Sequence, residues 1–141
     1  TMDGAKLNKA YLFGSRFNSI RARQADFSDA FMKDLNIADS DLSGSIFKRG
    51  KMFRAVMIGS NLSGADLQYA DLTGSALEEA DFTGANLSHA SLNGVTLDET
   101  IFSEANLNQA DFTEAVFENM DATLFRNAFN IPPHLEKMLN Q

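Results

Sequence analysis

The sequence predicts an all-β fold: a quadrilateral parallel β-helix, a square coil of about six 20-residue turns closed by a short C-terminal helical cap. Three observations predict it. A large apolar residue recurs every five residues from Leu7 to Phe117. A small residue stands two positions before nearly every one of them. The three positions left over in each five are mostly polar.

A period of five belongs to neither regular element. A helical stripe needs spacing near 3.6, and a half-buried strand needs 2. Five residues to a side and four sides to a turn return the chain over itself every 20 residues. Residue i then lies about 4.8 Å from residue i+20, the spacing of parallel strands. The 23 central positions are eleven Leu, seven Phe, three Met, Ile37 and Ala22. Such residues fill the coil from all four sides and leave no cleft for a small-molecule substrate. The inward position near each corner has less room. It holds thirteen Ala and five Ser, with Gly50, Thr100, Val95, Ile20 and Leu35 as exceptions. Gly14, Gly44, Gly59, Gly64, Gly74, Gly84 and Gly94 each fall two after a central residue, where a bend favours positive φ.

The ends depart from the pattern. Ile20/Ala22 and Met120/Ala122 reverse the small-then-large order, which keeps the inward volume roughly constant and reads as an adaptation near each end. Beyond Ala122 the phase slips through Leu124, Phe125 and Phe129. Pro132 and Pro133 then suit a helix start, and Leu135, Met138 and Leu139 share one helical face. Residues 1–125 are therefore expected to form the coil, uninterrupted from about residue 5 to 122, and 126–141 a capping segment, with a dimerisation helix as the alternative. A lid would hide unpaired strand edge and exposed core. No such lid precedes residue 5, so the first turn is expected to pair with another chain or to continue into further sequence.

The units "GADLQ", "YADLT", "EADFT", "GANLS", "EANLN" and "QADFT" resemble the pentapeptide-repeat family, A-(D/N)-(L/F)-X-X, over about residues 5–119. The resemblance implies a right-handed quadrilateral β-helix, and a repeat that is not itself enzymatic. It also brings in the roles that family members hold. Some mimic duplex DNA and bind gyrase, some are repeat proteins of cyanobacteria or the thylakoid lumen, and some are parts of bacterial effectors.

Charge is unevenly spread. Residues 1–60 hold ten Lys/Arg against six Asp/Glu, whereas 61–120 hold eleven acids and no Lys or Arg. Cysteine is absent, so disulfides, thiolate metal sites and cysteine nucleophiles are excluded. No apolar run approaches the length of a membrane span, and no basic-then-apolar leader is visible, so a cytoplasmic protein is expected. His89 at a corner and His134 in the tail lack a nucleophile at a motif spacing. The glycines come singly, not as a phosphate loop. No catalytic residue, cofactor site or metal site is assigned.

Two outward surfaces exceed what the repeat demands. On the second side, Tyr11 and Phe13, then Phe31 and Lys33, then Lys51 and Phe53 point outward, with Arg54 at the next corner and Lys48 and Arg49 just before. Aromatics among cations suit a partner surface; local cover of the first turn is the plain alternative, and stacking on single-stranded nucleic acid a minor one. On the third side Glu78, Asp98 and Glu118 form an acidic column with Glu79 and Glu99 beside it. It reads as a solvated, salt-screened face rather than a cation site. The neighbouring column Val56, Ala76, Thr96 and Val116 is uncharged.

The expected function is a non-enzymatic scaffold binding a protein partner through its outer faces. The alternatives are a DNA mimic binding a topoisomerase such as gyrase, and an accessory recognition domain of a larger protein. Direct nucleic-acid binding is set aside. The oligomeric state stays open between a monomer and an end-to-end dimer.

Overall fold

The computed structural model describes residues 1–140. The chain winds as a four-sided parallel coil. Parallel bridges join residues 20 apart on every side, from Lys6↔Asp26, Tyr11↔Phe31, Arg16↔Asn36 and Arg21↔Asp41 through to Ser91↔Asp111. Most of these contacts are single bridges, because each side has only two or three extended residues before the next bend. One ladder is long enough for named strands: β1 (Thr96–Asp98) pairs with β2 (Val116–Glu118), Thr96 opposite Val116.

Each bend has the same construction. The carbonyl of a central residue accepts a hydrogen bond from the N–H three residues on, as in Ala70 N–H to the Leu67 carbonyl at 3.0 Å. The residue two after the centre has positive φ at every corner from Gly4 to Asn119. Glycine is therefore not what makes the corners, since Asp39, Arg49, Tyr69 and Glu99 take the same conformation. The ladders on both flanks hold the bend and offset its local cost. Gly59 shows where glycine is required for space: a Cβ there would lie 2.6 Å from Asp39 Oδ1.

The polar positions of the repeat are also explained locally. The Asp or Asn before the centre accepts from the backbone N–H two residues on, as Asp81 does from Thr83 and Asn86 from Ser88. The hydroxyl after the centre often binds the same carboxylate, as Ser43 does on Asp41. The inward Ser and Thr are satisfied from the coil itself. Ser45 donates to the Ala22 carbonyl, Ser60 to that of Ile37, Ser75 to that of Met52 and Thr100 to that of Leu77. A buried hydroxyl with a partner costs little, so Ser substitutes for Ala there.

The central residues from Ala22 to Phe112 are buried, and those nearest the two ends are half-buried. Gly50, the one glycine at an inward position, gives way to a neighbour: a Cβ would meet Met32 Cε at 2.8 Å and the Phe47 carbonyl at 3.0 Å.

The slip after Ala122 is an insertion of three residues. Up to Asp111, the N–H of each central residue donates to the carbonyl 19 residues on. Phe102 N–H instead donates to Leu124, 22 residues on. The extra residues form a 3₁₀ turn, Ala122–Phe125, which Asp121 caps. Phe125 then stacks over Phe102 at 5.1 Å, and the ladder resumes with Asn106↔Phe129. The expected symmetry between the two ends fails here: Ala22 is fully buried, whereas Ala122 is exposed at the head of the 3₁₀ turn. Helix α1 (Pro133–Leu139) follows, with Pro132 at its N-cap. Leu135 is fully buried within the core and Leu139 packs against it, while Met138 is half-buried. The Phe112 N–H donates to His134 Nε2 at 3.0 Å, a side chain standing where a further turn would supply a carbonyl.

Candidate partner surfaces

Because residues 20 apart stack, each outward position becomes a ladder, and the second side carries an aromatic-cation ladder. Tyr11 lies parallel to Phe31, ring centroids 4.9 Å apart and planes 5° apart. Lys51 Nζ lies 5.3 Å from the Phe31 ring centre, and Lys33 Nζ 5.5 Å from that of Phe13. These are cation–π distances. Tyr11 is 82% exposed and Phe13 64%. The structure thus brings together the aromatics and lysines singled out in the sequence. It differs at Phe53, which is half-buried rather than projecting. Arg54 is exposed but already engaged, its guanidinium gripping Asp34 through two nitrogens at 3.0 and 3.2 Å. An open groove of about 420 Å³ lies between this side and the corner before it, lined by Lys9, Tyr11, Asp29, Phe31, Arg49 and Lys51.

Arg54 is one of three such pairs. Arg49 bridges Asp29 at 2.8 Å, and Arg23 bridges Asp3 at 3.0 Å. All three join residues 20 apart, so the ladder register selects them. Backbone and side-chain bonds from Arg23 lower the Asp3 carboxyl to about 2. Arg49 lowers Asp29, and Arg54 lowers Asp34, in each case chiefly through the side-chain hydrogen bond. These pairs cancel part of the positive charge of the first half. Lys9, Lys33 and Lys51 remain as its outward cations on this side.

The acidic column on the third side sits over β1 and β2, where Asp98 stands directly opposite Glu118. Like charges in register repel. Two neighbours soften this: Asn119 Nδ2 donates to Asp98 at 2.8 Å, and Thr96 Oγ1 donates to Glu78 at 2.5 Å. Glu78 therefore leans across the uncharged column and is half-buried, its other oxygen covered and without a hydrogen-bond partner. Glu79, Glu99 and Glu118 are exposed. Val116 is 55% exposed at the end of the uncharged column.

One ladder was not anticipated from the sequence. Tyr69 stacks on His89 at 4.7 Å with planes 4° apart, continuing the corner that carries Asp29 and Arg49. The signal was available, since all four share one position of the 20-residue turn. No helix among the described residues is long and apolar enough to cross a membrane.

Pentapeptide repeats match this chain in eight copies, over residues 5–44, 54–84 and 80–119. The chain belongs to the pentapeptide-repeat family. The fold is accordingly the right-handed quadrilateral β-helix of that family. A crystal structure of a pentapeptide-repeat protein, Rfr23 from the cyanobacterium Cyanothece 51142, is similar to it. The TM-score is 0.75 at 20% identity, covering 77% of this chain and 88% of that one. A pentapeptide-repeat protein of the Arabidopsis thaliana thylakoid lumen aligns at 30% identity over 64% of this chain and 56% of its own, with a TM-score of 0.42. Full-length QnrB1, a plasmid-mediated fluoroquinolone resistance protein, aligns at 17% identity over 96% and 83%, with a TM-score of 0.41. The last two superpose too loosely to carry an argument. No curated protein matches.

Proposed function

We propose that this protein is a non-enzymatic scaffold that binds a protein partner through its outer faces. The observation that carries the reading is the filled interior: Leu, Phe and Met occupy the centre from all four sides, so recognition falls to the ladders outside. Pentapeptide-repeat proteins are generally structural or interaction proteins, which supports the same reading. In this proposal residues 1–125 form a coil of about six turns and residues 126–141 its cap. Burial of Leu135 and the His134 bond to Phe112 support the cap.

The two surfaces suit different partners, because long-range charge steers association. The side bearing Tyr11, Phe13, Phe31, Lys33, Lys51, Phe53 and Arg54 suits an acidic or flat apolar surface. The side bearing Glu78, Glu79, Asp98, Glu99 and Glu118 suits a basic one. The test is capture from an extract of the source cells by wild type and by two variants. One carries Phe13→Ser and Phe31→Ser; the other Glu78→Gln, Asp98→Asn and Glu118→Gln. A specific partner should be lost from one variant and kept by the other. A partner retained by both would place binding elsewhere.

One observation favours a second reading, a DNA mimic acting on a topoisomerase such as gyrase. Residues 61–120 rise about 14 Å and carry eleven acids, against about eight phosphates in that length of duplex. A supercoiling assay tests it: inhibition by wild type that is relieved by the three acidic-column substitutions would support the mimic.

A further inference from the structure

We propose that the second side of the coil, together with the corner before it, binds a second copy of this chain. The two coils lie antiparallel about a two-fold axis that crosses this side between Lys51 and Asp71. The inference rests on the reading that the outer faces bind protein, and it names the occupant of one of them.

The observation behind it is a change of sign along one face. In its first half, the second side and its two corners carry Lys9, Lys33, Arg49, Lys51 and Arg54 against only Asp29 and Asp34. In its second half they carry Asp71, Asp111 and Glu114, and no Lys or Arg. The excess is three of each sign, so the face is complementary to itself when reversed. A two-fold axis lying across the face keeps each ladder over its own copy and reverses its order. Lys51 then meets Asp71, and Tyr11 meets Asp111. On the corner ladder Arg49 meets the Tyr69 ring, a cation–π pairing, and Asp29 meets His89. By symmetry each pairing occurs twice, as in any isologous interface. A parallel pair of coils would instead set lysine over lysine and acid over acid.

The side chains needed are available. Tyr11, Phe13, Lys51 and Asp111 are exposed. The Asp71 carboxylate uses one oxygen, Oδ1, for Thr73, and Asp111 does the same with Thr113. Apolar contact comes from the Tyr11–Phe31 stack, whose edges face outward over small polar residues such as Ser91. One side of a four-sided coil with 6847 Å² of accessible surface offers about the 800 Å² per partner that a stable interface buries. An acidic protein of another kind could meet the first half of the face but would leave the second half repelling it.

Sedimentation velocity tests the proposal at low salt and tens of micromolar protein. Wild type should sediment at twice its 15.5 kDa and dissociate as salt is raised. Lys51→Asp alone and Asp71→Lys alone should each weaken association by at least about tenfold, since each sets like charges opposite one another. Two measurements recover the pairing. The double variant should dimerise, and an equimolar mixture of the two single variants should form heterodimers. Circular dichroism melting checks that each variant is folded. A monomeric wild type, single variants that still dimerise, or a mixture that stays monomeric would each overturn the proposal. If wild type is monomeric while Phe31→Ser still abolishes capture of another protein, the antiparallel dimer is wrong and the scaffold reading stands.

Discussion

Phe27 stacks on Phe47 at 4.8 Å in the first half of the coil, and Phe82 on Phe102 at 5.3 Å in the second. Inside, residues 1–60 and 61–120 are built alike. Outside they differ: aromatics, lysines and arginine–aspartate pairs on one, carboxylates and hydroxyls on the other. The stretch 45–53, which the family match passes over, makes the point sharply. It lacks the usual Ala and Asp yet keeps Phe47 and Met52 buried and the ladders unbroken. Inward volume and five-residue phase set the fold. Outward residues are free to vary, and there the two halves acquire different partners.

The largest expected effect probes the shared interior. Phe27→Ala and Phe102→Ala should each destabilise by about 3–5 kcal/mol in denaturant unfolding. A first-half variant costing under about 1 kcal/mol would mean that the halves do not share one kind of core.

Leu135→Ala, at the covered end, should cost about 2–4 kcal/mol, because the side chain is fully buried. Removing residues 130–141 should also promote self-association that deletion of an exposed loop would not. A truncated chain that stays monomeric and equally stable would show that the coil needs no cover there.

A smaller effect is expected at the inward corner positions. Ala70→Leu in the regular half and Gly50→Ala in the irregular half should each cost about 1–3 kcal/mol by overpacking. Met32→Leu should recover part of the second loss, because Met32 Cε is one of the two atoms the new Cβ would meet. No recovery would assign the cost to the Phe47 carbonyl.

The ion pairs should give the smallest effect. Asp34→Asn frees Arg54 and should cost at most about 1 kcal/mol, the pair being exposed. Asp3, Asp29 and Asp34 have carboxyls lowered in the folded state. Their contribution is present above the unfolded carboxyl range and is lost as pH falls through the folded one. The window runs from near 3.8 down to about 2 for Asp3. A pH titration of the melting midpoint should show this loss in wild type and less of it in Asp34→Asn.

The phase of the repeat made the coil legible, since only a five-residue period puts Leu67, Leu72, Leu77 and Phe82 all inside. Membership of the outward ladders was equally legible, because it follows from the 20-residue turn alone. How a side chain leans was not. Phe53 tucks in and Glu78 crosses to Thr96 because of what stands on the adjacent ladder, which the period does not encode. The corners were legible as bends but misjudged in cause. Glycine marks some of them, while Arg49 and Tyr69 adopt positive φ under the hold of the ladders on either side. The slip near Asp121 was visible as lost phase. Its size emerged only from the Phe102–Leu124 hydrogen bond.

The separation of an interior that folds from an exterior that binds is tested most directly by one variant. It combines Phe13→Ser, Phe31→Ser, Glu78→Gln, Asp98→Asn and Glu118→Gln, and its unfolding is followed by circular dichroism in denaturant. The expected result is a stability within about 1 kcal/mol of wild type, the scale of surface substitutions, with an unchanged denaturant slope. A loss of several kcal/mol would contradict the account, because the outer ladders would then be part of what holds the coil together.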